Sequence, residues 1–238
     1  MIFAPHVAVI VILAYLLGSI PFGLLVSRMY GTDIRLHGSG NIGATNVWRT
    51  LGKKAGLTTF FCDLLKGFIA VVLAKWIAGH WPVTIPLPHE HTRTEYFDAG
   101  FAGIAAALGC IMGHSFPVWL RFKGGKGVAT SLGVIIGMMP LVSVTVFAIW
   151  GVVFKLSRYV SFASIVAAAS LPLVTIVFLF LGWVQGWALF YFALAAAMLV
   201  IRRHRENIKR LIAGTESRFG KPKPEASEVP SETDQEQP

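Results

Sequence analysis

The sequence predicts an all-α, polytopic integral membrane protein with seven transmembrane helices, its N-terminus outside and its C-terminus in the cytoplasm. Three observations predict it. Of the 238 residues, 55% are hydrophobic and mean hydropathy is +0.64, more apolar than a water-soluble domain requires. Several apolar runs approach the ~20 residues that cross a bilayer. Of the 21 Lys and Arg, all but Lys75 and Arg93 fall on one side of the resulting topology, the bias that marks a cytoplasmic face. The net charge of +9 sits beside apolar runs. It therefore reads as topology and as attraction for membrane lipids and anionic ligands, with no nucleic-acid partner. Residues 1–216 form one bundle, and 217–238 read as a disordered cytoplasmic tail, basic before it is acidic.

The first span runs from Val7 to Val26. No Lys or Arg precedes it and Arg28 follows, so it is not a removable signal and its N-terminus lies outside. Gly18, Ser19, Pro21 and Gly23 near its inner end mark a kink or a close helix crossing. A polar cytoplasmic segment, Arg28 to Gly56, leads into the second span, Leu57 to Ala78. Within that span Asp63 and Lys66 lie three apart, on one helical face. Either alone costs about 2.5–3.5 kcal/mol at a bilayer centre, which predicts an ion pair, with Lys66 snorkelling inward. Gly79 to Asp98 is an outer loop. Its His80, His89 and His91 read as solvated loop histidines rather than metal ligands. Cys62 and Cys110 sit in apolar segments, without metal-ligand spacing.

The third span, Ala99 to Leu120, returns to the cytoplasm. Val128 to Phe154 is either one long span broken at Pro140 or two short arms turning at Met139 and Pro140. Only the two-arm reading keeps every later basic cluster on one face, so these arms are the fourth and fifth spans. Tyr159 to Leu181 is the sixth, with Pro172 inside it, and Ala188 to Ile201 the seventh, before the basic run RRHRENIKR.

In this topology four polar islands meet at the cytoplasmic face. The first, HGSGNIGATNVWR (His37 to Arg49), is too polar and Gly-rich to span. Its Gly38, Gly40 and Gly43 leave backbone N–H groups bare among Ser39, Asn41, Thr45 and Asn46, and Arg49 adds a permanent cation. Such groups make an anion site, most often for phosphate, although a glycine-broken connecting loop has the same composition. The second island, KGGKG, lacks the spacing of a Walker A loop. Its Lys123, Gly124, Gly125, Lys126 and Gly127, opening a helix at Val128, still suit an anion; either lysine also fits a snorkelling role. The third island contains Ser161. The fourth holds His204 and Asn207 one turn apart, with Glu206 read as a partner of a neighbouring Arg.

The runs GSGNIGATN, DLLKG, KGGKGVAT, RYVS and HRENI, in this order, resemble the bacterial acyl-phosphate:glycerol-3-phosphate acyltransferases from about Leu17 to Gly214. The resemblance implies a seven-helix enzyme of the bacterial inner membrane with its active site facing the cytoplasm. It implies acyl transfer from acyl phosphate to the sn-1 hydroxyl of glycerol 3-phosphate, giving lysophosphatidic acid and phosphate in phospholipid biosynthesis. An acyl-phosphate-forming enzyme would stand upstream as a partner, and no cofactor or metal is implied. Other glycerol-phosphate acyltransferases use a His-x4-Asp pair, and no histidine here has Asp five positions on. An acyl phosphate is already activated, so the expected catalytic residues, Ser39, Arg49, Lys126, His204 and Asn207, act by binding and charge stabilisation. Ser39 with nearby N–H groups would hold acyl phosphate, and the other four glycerol 3-phosphate, with Ser161 helping either. Ser39 as a covalent nucleophile, and a permease for an anionic metabolite, are the competing readings.

Overall fold

The computed structural model describes residues 5–86, 92–96 and 98–220. The first apolar run is two helices, α1 (Pro5–Ser19) and α2 (Phe22–Met29), broken at Ile20 and Pro21, as the Gly/Pro cluster predicts. After α3 (Ala44–Leu51) comes the long α4 (Lys53–His80). A two-stranded antiparallel hairpin follows, β1 (Pro82–Pro86) and β2 (Thr92–Tyr96), with Thr84 opposite Thr94. This hairpin corrects the all-α expectation at the outer loop. His89 and His91 lie outside the described residues. Then come α5 (Ala99–Ser115), α6 (Val128–Met138), α7 (Pro140–Ser157), α8 (Val160–Phe180), α9 (Trp187–Arg203) and α10 (Arg205–Ile212).

Among the described residues, five helical stretches are long and apolar enough to cross a membrane, six if α9 and α10, bent by 58°, count as one. The eleven-residue α6 is about 17 Å long at 1.5 Å per residue, short of a ~30 Å hydrocarbon layer. Helix α6 nevertheless ends among buried residues with its last turn bonded: Lys75 Nζ of α4 donates to Gly137 O at 2.9 Å and Met139 N–H donates to Ile135 O at 2.7 Å. A cation on the last-turn carbonyls of a helix supports both its hydrogen bonding and its dipole.

The outward faces are apolar: Leu173, Val144 and Phe180 are among the large exposed hydrophobics, as lipid contact requires. Inside, α1 packs closely along α5, and α4 along α6. A Cβ on Gly18 or Gly113 would strike the backbone of the facing helix, as would one on Gly67 or Gly133. Small residues thus bring these backbones together where no hydrophobic effect drives association.

The polar exception is in the bundle interior. Asp63 and Lys66 are each 2% exposed and pair at 2.8 Å. Lys66 Nζ also donates to Ile20 O at 2.8 Å and reaches His114 Nδ1 at 3.0 Å. The predicted ion pair forms, but Lys66 does not snorkel: it turns inward and satisfies the carbonyl freed by the α1–α2 break. Cys110 is buried and Cys62 half-buried, both as free thiols.

The packed chain continues past the predicted tail boundary. Phe219 sits edge-on to Trp48 and Phe154, and its N–H donates to Arg158 O at 2.8 Å. Residues 217–220 therefore belong to the bundle, while 221–238 lie outside the described residues.

Removing one partner of a buried ion pair costs about 3–5 kcal/mol, because the other charge is stranded. Lys66→Met is expected to lower the melting temperature in detergent sharply. Asp63→Asn combined with Lys66→Met should recover part of the loss, as a thermal-melt double-mutant cycle would show.

Candidate active site

The loop between α2 and α3 is built around Asn46. Its Oδ1 accepts from Ser39 N–H at 2.9 Å, and its Nδ2 donates to His37 O at 3.0 Å, Asn41 O at 2.9 Å and Ile34 O at 3.3 Å. Asn41 Oδ1 accepts from Gly43 N–H at 2.8 Å, an Asx turn leading into α3. Gly38 and Gly40 hold φ of 59° and 68°, where any Cβ is strained. The amide of Asn46, a residue expected to bind substrate, is spent on shaping the loop, although Asn46 also borders the cavity of this site. Gly38, Ser39, Asn41, Thr45 and Arg49 border a cavity, whereas Gly40 does not. Arg49 Nη2 donates to Ser217 O at 2.9 Å, tying α3 to the C-terminal segment.

The KGGKG loop divides into two halves. Gly124 and Gly125 pack on His114 and have no room for a Cβ, and Gly125 N–H donates to His114 O at 3.1 Å. Both were expected among the substrate ligands, but neither reaches the cavity, and Lys123 is exposed and outside it. Lys126 and Gly127 do line it, at the positive end of α6. The sequence left open which lysine faces the site; the structure places Lys126 there.

The third wall comes from α8, α9 and α10. Ser161, His204 and Asn207 are buried and line the same cavity. His204 Nδ1 lies 2.8 Å from Val200 O; a carbonyl only accepts, so Nδ1 carries the proton and Nε2 keeps its lone pair. Burial pulls the His204 imidazole down to about 4, so the ring is neutral near pH 7. Glu206, as expected, faces Arg205 at 3.4 Å, away from the site.

Glu216 is the residue the sequence reading missed. Its Oε1 accepts from Ser161 Oγ at 2.6 Å and Asn207 Nδ2 at 2.7 Å, and its Oε2 from Arg210 Nε at 2.7 Å. Burial would raise this carboxyl, but the hydrogen bonds from Ser161, Arg210 and Asn207 outweigh it and hold it below its ordinary value. Ser161 and Asn207 thus spend donors on Glu216 rather than offering them outward. The buried Asn207 Oδ1 has no hydrogen-bond partner among the described residues. The only sequence signal for Glu216 is an acid close behind a basic helix, the last residue of the predicted bundle, and it suggests no role of its own.

All four islands therefore meet around one cavity of about 1320 Å3. Its polar end carries Ser39, Arg49, Lys126, His204 and Asn207. Its other end is apolar, between Ile135, Val146, Phe147, Trp150, Leu171 and the small Ala167 and Ala196. An anion-binding end joined to a greasy slot fits a phosphorylated headgroup with a long alkyl chain.

Residues 8–214 match the family described as glycerol-3-phosphate acyltransferase. The chain belongs to that family. It is 45% identical over 214 residues to a glycerol-3-phosphate acyltransferase of Aquifex aeolicus, covering 88% of this chain and 97% of the relative. It is 46% identical over 211 residues to one of Geotalea daltonii, covering 89% and 96%. Two crystal structures of PlsY (YgiH), an integral membrane glycerol 3-phosphate acyltransferase, superpose on it. The glycerol 3-phosphate form does so at TM-score 0.74 and 42% identity, over 90% of this chain and 96% of that one. The lysophosphatidic acid form gives 0.72 and 41%, over 90% and 95%. The protein is thus an acyltransferase with an integral membrane fold.

In this acyltransferase, burial first, then Arg210, Arg49 and Arg203, pull the Lys126 ammonium down to about 8, with Glu216 opposing them. A phosphate group held by Lys126 is therefore expected to bind more weakly as pH rises through about 8, where the lysine loses its charge. Lys126→Arg, whose guanidinium stays charged, should keep its affinity to higher pH. The pH profile of KM for the phosphorylated substrate checks this.

Proposed function

We propose that the chain transfers an acyl group from an acyl phosphate to the sn-1 hydroxyl of glycerol 3-phosphate, releasing lysophosphatidic acid and inorganic phosphate for phospholipid synthesis. The observation that carries this reading is the joined cavity: cations and the start of α6 at one end, an apolar slot at the other. The glycerol 3-phosphate and lysophosphatidic acid forms of the PlsY neighbours support the same substrate and product.

The donor is already activated, so the protein's task is to gather two repelling anions and stabilise the carbonyl oxygen as it gains charge. Ser39, on a loop fixed by Asn46, holds the acyl phosphate. Arg49 and Lys126 hold the phosphate of glycerol 3-phosphate. His204 Nε2 and Asn207 Oδ1 are acceptors, and each suits a glycerol hydroxyl rather than a phosphate. The sn-1 oxygen forms a bond to the acyl carbon, the bond from that carbon to the phosphate oxygen breaks, and the hydroxyl proton leaves on the released phosphate. No covalent enzyme intermediate enters this scheme, and acid-stable labelling of Ser39 by acyl phosphate alone would replace it.

The proposed setting is a seven-span bundle in the bacterial inner membrane, N-terminus outside, with the site and the C-terminus facing the cytoplasm. There an upstream acyl-phosphate-forming enzyme supplies the donor. Purified protein is expected to release phosphate only when acyl phosphate and glycerol 3-phosphate are both present, with acyl-CoA inactive as donor. A permease would transport without that release. Arg49→Ala is expected to raise KM for glycerol 3-phosphate about tenfold or more, the equivalent of ~1.5–3 kcal/mol for hydrogen bonds to a charged group. An unchanged KM in the folded variant would remove Arg49 from the site.

A further inference from the structure

Arg203 stands apart from the other cations of the RRHR run. Arg202 and Arg205 are exposed, whereas Arg203, half-buried, turns back into the protein from the last turn of α9. It does not line the cavity. Its partners are two consecutive peptide carbonyls of the glycine loop: Nη2 donates to Gly124 O at 2.7 Å and Nε to Gly125 O at 3.0 Å. The guanidinium carbon sits 5.1 Å from the centroid of the Phe116 ring. Phe116 is itself anchored, because Tyr15 Oη donates to its carbonyl at 2.8 Å.

We infer that Arg203 is a positioning residue for the reaction, a clamp behind the glycine loop that fixes its peptide planes so that Lys126 and the start of α6 face the phosphate-bearing substrate. The inference rests on the reading that such a substrate occupies this end of the cavity. The peptide unit is planar, and its C=O and N–H point in opposite directions. With Gly125 O held by Arg203, the N–H of Lys126, in the same plane, is turned away from the clamp. With Gly124 O held likewise, the N–H of Gly125 is directed onto His114 O, the bond observed at 3.1 Å. The paired donors of a guanidinium fix two acceptors at once, which a lysine ammonium does less rigidly. The clamp also keeps two carbonyl oxygens, the negative ends of their dipoles, turned from an anion site. Glycine at 124 and 125 lets the loop sit flat on His114, but glycines impose no shape of their own. Arg203 and His114 supply the shape.

The experiment compares wild type with Arg203→Met and Arg203→Lys. In Arg203→Met, KM for glycerol 3-phosphate is expected to rise about tenfold or more while KM for acyl phosphate stays within about twofold, with Arg203→Lys in between. Millimolar guanidinium ion should restore much of the loss in Arg203→Ala. Hydrogen exchange of the amides from Gly124 to Ala129 is expected to accelerate in Arg203→Met while that of α4 holds. If loop exchange is unchanged, or both KM values rise together without guanidinium rescue, the clamp is wrong. If Arg203→Met does not fold, the Arg203→Lys kinetics and exchange decide on the same criteria. Should wild type fail to turn over the two substrates, the proposed function falls. The exchange measurement still decides whether Arg203 shapes the loop.

Discussion

Lys66 is the interaction on which the interior of this bundle depends. Its ammonium meets three elements: it donates to the Ile20 carbonyl at the break of the first span, pairs with Asp63 on its own helix, and reaches His114 on α5. Since the ammonium donates, His114 Nδ1 accepts and the ring proton sits on Nε2, the atom lying against Gly125. The His114 carbonyl takes the Gly125 N–H. A charge buried in α4 is thereby linked, through two hydrogen bonds, to the loop that presents Lys126. A cation is well suited to this position because a lipid-embedded bundle has no water to satisfy the Ile20 carbonyl. The neighbouring carboxylate and imidazole keep the ammonium from being stranded.

The same balance operates on a larger scale at the cavity. Arg49, Lys126 and Arg210 converge there, and like charges gathered in a partly buried space repel. Glu216 offsets one of them from within the chain while accepting from Ser161 and Asn207. The site thus stays net positive without leaving all its cations unopposed. The carboxylate also explains why the chain past α10 turns back over the bundle. Arg49 grips the Ser217 carbonyl and Phe219 fills an aromatic slot beside Trp48 and Phe154. The C-terminal segment is accordingly a wall of the site.

Much of this was legible in the sequence because it rests on local or compositional rules. Span positions follow from apolar run length, the break near Pro21 from backbone chemistry, the Asp63–Lys66 pair from helical spacing, and the meeting of the polar islands from charge on one side of the spans. What was not legible depends on long-range choice. Nothing in GSGNIGATN distinguishes Asn46, which spends its amide on four backbone groups, from Asn41, which forms a local turn. Nothing in KGGKG says that Gly124 and Gly125 serve packing while Lys126 serves the cavity. Nothing in RRHR says that one arginine turns inward. Each depends on which surface the fold brings against it. Glu216 was hidden for the same reason: its bond to Ser161 of α8 spans 55 positions, and nothing local in the sequence points to it.

The shortness of α6 belongs to this logic. A helix that crosses a membrane places both polar ends in the headgroup layers, but α6 starts on the cavity and ends among buried residues. Gly127, with φ of 81°, opens α6 directly on the cavity. The first-turn N–H groups that every helix leaves unpaired, and the positive end of its dipole, therefore open on the cavity. The negative end falls at Met138, inside the bundle, where free carbonyls would be costly. Lys75 closes it from α4 by binding Gly137 O. Gly67 and Gly133 draw the two helices close enough for that reach. A pair of lysines at opposite ends of one short helix thus divides the work: Lys126 beside its start for ligand, and Lys75 over its end so that the helix can stop where it does.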